Sequence, residues 1–381
     1  MDAPLRAEAY VDLAAIRANV AALRGYARDA DVMVVVKADG YGHGIAATAR
    51  AAVAGGATWL GTAVLEEALA VRAAGVTAPI LSWLATPGEP YEDALAADID
   101  LAAYAPWQLA DIAAAAAARG TTARVHLKVD SGLGRGGAQP HDWAALLDAA
   151  ARAQADGTVH IVGVWSHLAC ADEPGHPSIE LQRKAFEQAL SEAERKAVRP
   201  EIRHLANSAA TVSAPRTHYD LVRAGIATYG LSPIPDHQTS EQLGLTPAMT
   251  LRARFALVKR VPKGHGVSYG HRYVTPDATT LGLVPLGYGD GVPRAASNVG
   301  PVWAAGAVRR IAGTVCMDQF VVDLGDATAK EGDDVVLFGP GTSGEPTAQD
   351  WAEATGTISY EIVTRLGTRV PRTYGGLEGI A

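Results

Sequence analysis

The sequence predicts an α/β fold, an N-terminal (β/α)8 TIM-like barrel followed by a mostly β C-terminal domain, on three observations. From Val32 onward, short apolar runs alternate with longer Ala- and Leu-rich segments, the pattern of a parallel sheet buried on both faces. Eight such strand-and-helix units fall within about 200 residues, the number that closes a barrel. After about residue 240 the texture changes to frequent Gly and Pro with alternating apolar positions, which reads as antiparallel strands.

In chain order, the candidate strands are Val32 to Val36, Thr58 to Thr62, Pro79 to Trp83, Ile99 to Ala103, Arg124 to Val129, His160 to Trp165, Ile202 to Leu205 and Leu221 to Arg223. Helix-length stretches lie between them at Ile45 to Ala54, Leu65 to Ala74, Pro106 to Arg119, Asp142 to Ala155 and Ile179 to Lys196. Gly55, Gly75 and Gly120 stand where helices should stop. An open doubly wound sheet is the alternative, but no G-x-G-x-x-G turn follows the first strand. The later strands are expected at Leu281 to Pro285, Phe320 to Leu324 and Asp334 to Phe338. The expected division is a barrel over residues 1–240 and a β domain over 241–381, packed together because no low-complexity linker separates them.

Composition narrows the function. A net charge of −8 without a basic stripe argues against nucleic acid as a partner. Two cysteines, Cys170 and Cys316, are too few for a disulfide framework and lack zinc-ligand spacing, so a reducing cytoplasm and no metal are expected. Met1 to Leu13 has no apolar signal core and no uncharged stretch of spanning length follows, so neither export nor membrane insertion is expected.

Barrel active sites lie where strands end. Strand one ends at Lys37, strand five runs into Lys128 and then Arg135, strand six into His167, strand seven into Asn207 and Ser208, and strand eight into Arg223. Each alone has an ordinary structural reading, since a strand-end Lys can reach water and a lone His is often structural. Their convergence on one mouth points to a site. Partial desolvation at the end of an apolar strand would lower the pKa of Lys37 and free its amine for imine formation.

The run Val35-Val36-Lys37-Ala38-Asp39-Gly40-Tyr41-Gly42-His43-Gly44 closely resembles the cofactor-attachment motif of the alanine racemases, which depend on pyridoxal 5′-phosphate (PLP). The resemblance continues through His126 to Arg135, Ser166-His167, Ala206 to Thr211, Val222 to Ile226, Val267-Ser268-Tyr269-Gly270, Gly287 to Gly291, Cys316-Met317-Asp318-Gln319 and Arg369 to Arg372. These blocks run in the family's order from residue 33 to 372, nearly the whole chain.

The resemblance implies an isomerase that interconverts L- and D-alanine on PLP and supplies D-alanine for peptidoglycan. Lys37 would form the Schiff base to the cofactor and act as the base on the D-alanine side. Tyr269, from the partner subunit of a homodimer, would serve the opposite face. An ordinary tyrosine titrates near about 10, so its environment must help, and the family links it to His167 and Arg223. Arg223 would face the pyridine nitrogen; because guanidinium keeps its proton, the ring would be a weaker electron sink, which suits racemisation better than transamination. Tyr41, Ser208, Gly225, Ile226 and Tyr360 would hold the phosphate, with Trp83 and Asn207 also on the cofactor. Arg135 would lie near the substrate carboxylate, held by a carbamate on Lys128. Met317 of the partner would bind that carboxylate through its backbone, and Tyr288 with Tyr269 would narrow the entrance to small substrates.

Three positions depart from many relatives: Asp39-Gly40 replaces Asn-Ala beside the cofactor lysine, Thr314 replaces a corridor arginine, and Trp83 is bulkier than the usual aliphatic residue. A racemase of serine or of a broader set of amino acids is the alternative. A cofactor-carrying barrel without catalysis would not need the C-terminal domain. A decarboxylase would place an acid where Arg223 stands.

Overall fold

The computed structural model describes residues 5–376, so the outermost residues of both expected domain ranges, and the start of the N-terminal stretch read above, lie outside the described residues. The chain opens with strand β1 (Ala7–Asp12) and a helix over Leu13–Ala27. Asp12 starts that helix by accepting from Ala14 N (2.9 Å) and Ala15 N (3.1 Å).

Eight parallel strands follow: β2 (Asp31–Val35), β3 (Trp59–Thr62), β4 (Ile80–Ser82), β5 (Asp100–Ala103), β6 (Ala123–Lys128), β7 (Val159–Trp165), β8 (Ile202–His204) and β9 (Leu221–Ala224). Their order β8-β7-β6-β5-β4-β3-β2-β9 makes a nearly closed barrel. Asp220 N donates to Arg203 O (3.1 Å) and Arg223 N to Ala206 O (3.0 Å), drawing the last two edges together. All eight expected strands are present within a residue or two, because strands buried on both faces show as continuous apolar runs.

The intervening helices also lie where the sequence places them. The helix over Pro106–Arg119 begins on a proline, ends at left-handed Gly120, and turns Leu109, Ile112 and Ala116 inward. Gly75 is likewise left-handed, just past its helix, whereas Gly55 stays right-handed and Gly56 takes the turn.

The second unit is built on a six-stranded sheet. Its order is Ala307–Arg310, Pro301–Ala304, Asp334–Phe338, Met249–Arg254, β1 and Arg372–Gly375. Here the structure departs from the expected division at residue 240. β1 pairs antiparallel with Met249–Arg254 and parallel with Arg372–Gly375, so the first strand of the chain is a member of the later sheet. Its sequence AEAYVD buries only Ala7, Ala9 and Val11, too weak an alternation to stand out. A three-stranded sheet of Leu257–Val261, Thr279–Val284 and Phe320–Gly325, a two-stranded ribbon of Gly266–Val267 and Tyr273–Val274, and two helices, Ala348–Thr355 and Ser359–Thr364, also belong to this unit.

The two units share a seam. Buried Asn19 donates to Thr228 O (3.1 Å) and Thr246 O (2.9 Å) and accepts from Thr246 N (2.8 Å), tying the first helix to the segment leaving the barrel. Val35, Tyr41, Ile226 and Tyr229 from the barrel pack into one apolar cluster with Ile362, Val363 and Val370 of the later unit. The carboxyl ends of the barrel strands therefore open against the C-terminal helices, which is where a barrel places its site.

Candidate active site

Lys37 follows β2 at the start of a sharp left-handed turn: Ala38, Asp39, Gly40 and Tyr41 all have φ between 51° and 62°. Left-handed backbone at three non-glycine residues costs on the order of 1–2 kcal/mol each, so the surroundings must hold it. Glu67 does part of this, accepting from Ala38 N at 2.6 Å and from Ala63 N at 2.9 Å. Asp39 accepts from Ile45 N (2.9 Å) and so caps the next helix. The acid that supports charge on Lys37 is Glu67, whereas burial and Arg135 together lower the amine's pKa. Among the residues named so far, Glu67 was not foreseen; an acid one strand away carries no local sequence signal.

A cavity of about 380 Å³ lies at these strand ends. Lys37, Tyr41, Trp83, Lys128, Arg135, His167, Asn207, Ser208, Arg223, Gly225, Ile226 and Tyr360 all line it, as do Val35, Ala38, Trp165 and Thr364. Four cations thus border one cavity, and among the described residues no carboxylate lines it.

Each wall has a local cause. Buried Asp130 accepts from Gly132 N (2.9 Å), Leu133 N (2.9 Å), Gly134 N (3.0 Å) and Gln139 Nε2 (2.9 Å), shaping the loop that carries Arg135. Trp165, unforeseen from sequence, lies under two cations: Lys128 Nζ is 4.5 Å and Arg223 Cζ 4.9 Å from its ring. Burial, with Arg223 and Arg135 adding repulsion, pushes Lys128 down to about 8. Arg223 is only 4% exposed and has no carboxylate partner among the described residues; burial pulls it down to about 9, which leaves it cationic at neutral pH. It donates to Ser166 O (2.7 Å), Leu205 O (3.1 Å), His204 Nδ1 (3.2 Å) and His167 Nδ1 (3.2 Å). Burial and Arg223 hold His167 well below the ordinary histidine range, so it is neutral.

At the other end, Asn207 caps the helix Ser208–Ser213 by accepting from Ala210 N (3.0 Å), and Gly225 N donates to Ser208 Oγ (2.7 Å). Burial raises the Tyr41 and Tyr360 hydroxyls above the ordinary phenol range, so both are neutral donors. A Cβ added at Gly225 would sit 2.5 Å from Tyr41 Oη. Hydroxyls and backbone N–H groups gathered beside cations make a cradle for a dianion.

Tyr269, Tyr288 and Met317 do not line this cavity. They stand 75%, 43% and 54% exposed, unusual for large apolar side chains. They lie together: Tyr288 N donates to Cys316 O (3.0 Å), and Thr314 Oγ1 donates to Tyr269 O (3.0 Å). Thr314 is buried and supports the Tyr269 turn, so at this position the side chain braces a loop.

Family models described as "Alanine racemase, N-terminal domain" and "Alanine racemase, C-terminal domain" match residues 11–233 and 248–374. The chain is 59% identical to the alanine racemase of Frankia casuarinae, over 97% of this chain and 96% of that protein. It superposes on the crystal structure of alanine racemase from D-cycloserine producing Streptomyces lavendulae with a TM-score of 0.98 and 59% identity, covering 99% of each chain. It also superposes on the Bartonella henselae alanine racemase with covalently bound pyridoxal phosphate, TM-score 0.87 and 28% identity, over 98% of this chain and 100% of that one. Among the described residues no helix is long and apolar enough to cross a membrane.

Proposed function

The chain belongs to the alanine racemase family, and from that premise we propose that its cavity holds pyridoxal phosphate on Lys37 and moves the α-proton of alanine with one base on each side. It is an isomerase that interconverts L-alanine and D-alanine; we infer that the D-alanine serves peptidoglycan synthesis.

The observation that carries the cofactor reading is the cavity's charge: Lys37, Lys128, Arg135 and Arg223 border it without a carboxylate among the described residues. A phosphate dianion and a substrate carboxylate supply the missing charge, so the residues fit the group. Tyr41, Ser208, Gly225, Ile226 and Tyr360 would hold the phosphate, Arg223 the ring nitrogen, and Trp83, Asn207 and His167 the surrounding space. Pyridoxal phosphate, attached through Lys37, supplies an electron sink that acidifies the α-carbon of the amino acid bound to it. Because Arg223 keeps its proton, it would donate to the ring nitrogen without protonating it, which would favour return of the α-proton over side reactions. A methyl at residue 225 would invade the cradle, so Gly225→Ala should raise the cofactor's Kd at least about tenfold in a fluorescence titration of the apoprotein, roughly 1.4 kcal/mol; unchanged affinity would place the phosphate elsewhere.

The desolvated amine of Lys37 is the base on one side. On the other, the partner's Tyr269 is proposed to act, its exposed position in this chain being covered in a homodimer. Arg223 can only donate to His167 Nδ1, so His167 carries its proton on Nε2. That N–H is available to stabilise a phenolate and bring a tyrosine toward neutrality. Arg135 and the backbone at the partner's Met317 would orient the substrate carboxylate, and the partner's Tyr288 would narrow the entrance. Domain 241–381 would thus complete the neighbouring subunit's site. In D2O, D-alanine formed early from L-alanine should carry deuterium at the α-carbon, because the returning proton comes from the second, solvent-exchanged base. Retained protium would point to a single base.

Lys128 is proposed to carry a carbamate. Held near about 8, a fair share of its amine is neutral and able to add carbon dioxide, giving an anion between Arg135 and Arg223. Native mass spectrometry should find about 44 Da added at this residue, and its absence in bicarbonate buffer would remove the carbamate from this reading.

A further inference from the structure

Behind Arg223 the barrel interior holds a line of polar groups that the reaction, as described, leaves without a task. Asp100 begins β5, His126 lies in β6, His204 ends β8 and Arg223 lies in β9, all buried. Asp100 Oδ2 meets His126 Nε2 at 3.2 Å, His126 Nδ1 meets His204 Nε2 at 3.0 Å, and His204 Nδ1 meets Arg223 Nη1 at 3.2 Å. The other oxygen of Asp100 accepts from Arg124 Nε at 2.9 Å.

Barrel interiors are usually filled by branched aliphatic side chains, and a charged line there is costly unless every member is satisfied. The fold makes room for this one. A Cβ at Gly163 of β7 would lie 2.2 Å from His126 Nδ1, and the β6–β7 register shifts between Val125 and His126. Two indoles hold the rings: Trp59 stands edge-on to His126 at 5.5 Å, and Trp165 stacks on His204 at 5.6 Å.

The two ends give the line one direction. A guanidinium only donates and a carboxylate only accepts. His204 must therefore accept at Nδ1 and carry its proton on Nε2, which it donates to His126 Nδ1. His126 in turn carries its proton on Nε2 and donates it to Asp100. Both rings are neutral Nε2–H tautomers; a proton added to either sets two donors face to face at one link.

We propose that Asp100 is a positioning residue for the reaction: acting through His126 and His204, it keeps an acceptor against Arg223 Nη1 and so fixes the guanidinium that faces the cofactor. The proposal rests on the reading of Arg223 given above. Without Asp100 only the Arg223 end still favours these tautomers, so the reversed order, in which His204 presents a donor to Arg223 and the guanidinium must shift, is no longer opposed by a carboxylate.

The test is neutron diffraction from D2O-exchanged crystals of the holoenzyme, with kinetics of Asp100→Ala and Asp100→Asn. Deuterium is expected on Nε2 alone in both rings. Asp100→Ala should lower kcat about 10–100-fold, the range for losing the outer partner of a functional ligand, with KM within about threefold. Asp100→Asn keeps an acceptor oxygen and should fall between. Deuterium on Nδ1 of His204, or a wild-type kcat in folded Asp100→Ala, overturns the proposal. A purely structural Asp100 would instead lower the melting temperature and leave kcat per folded dimer unchanged. If Asp100→Ala does not fold, the kcat of Asp100→Asn decides, an unchanged value counting against the proposal. Failure of the cofactor reading is distinguishable, since it would appear as wild-type protein lacking PLP on Lys37.

Discussion

Lys37→Ala should lose at least about 10⁴-fold in kcat while keeping the fold, because one side chain is asked both to anchor the cofactor and to move the α-proton. A positioned base alone is worth about 10²–10⁴-fold, and the anchor adds to that. The fold should not suffer. Lys37 makes no ion pair among the described residues, and Arg135 repels its charge more than Glu67 supports it. Circular dichroism and the melting temperature of the variant apoprotein should match the wild type. More than about one percent of wild-type kcat, with the variant correctly folded, would take Lys37 out of the mechanism.

The second large effect is a recovery. Lys37→Ala and Tyr269→Phe should each be nearly inactive, yet a mixture whose subunits have exchanged should regain activity. In a mixed dimer one site combines both lesions and the other combines neither, so one of its two sites is intact. Random exchange of equal amounts makes half the dimers mixed, giving about a quarter of the wild-type activity per subunit. Sites contained within single chains would recover nothing. The expectation follows from the separation of the side chains: Lys37 lines the barrel cavity, whereas Tyr269 stands 75% exposed beside Met317 and Tyr288.

Much of this was legible in the sequence, for reasons that differ by residue. The eight barrel strands announce themselves because burial on both faces forces continuous apolar runs such as Val32 to Val36. The cavity residues could be gathered from strand ends because a parallel barrel puts all those ends on one face, and the structure places Lys37, Lys128, Arg135, His167, Asn207, Ser208 and Arg223 around one cavity. β1 was not legible: its partners lie some 240 and 360 residues later, and six residues whose buried face is Ala7, Ala9 and Val11 carry little apolar signal of their own. Nor was Trp165, whose contacts with Lys128 and Arg223 depend on the barrel bringing β6, β7 and β9 around one mouth.

The departures from the family pattern show the same limit. Asp39 stands two residues from Lys37 in sequence, but the left-handed turn sends its carboxylate to Ile45 N, and Glu67 serves the lysine turn instead. Thr314 stands where an arginine would speak of charge, but its hydroxyl goes to Tyr269 O, so its effect is on the loop. A composite site is hardest of all to read, because no spacing within one chain records which residues meet across a two-fold axis.

The most direct measurement is borohydride reduction of the purified protein incubated with pyridoxal phosphate, followed by peptide mapping. The expected result is loss of the visible absorbance band and a phosphopyridoxyl group on Lys37 alone. Label on Lys128 or another lysine, or no label with the cofactor removable by dialysis, would contradict the assignment on which the whole site is built.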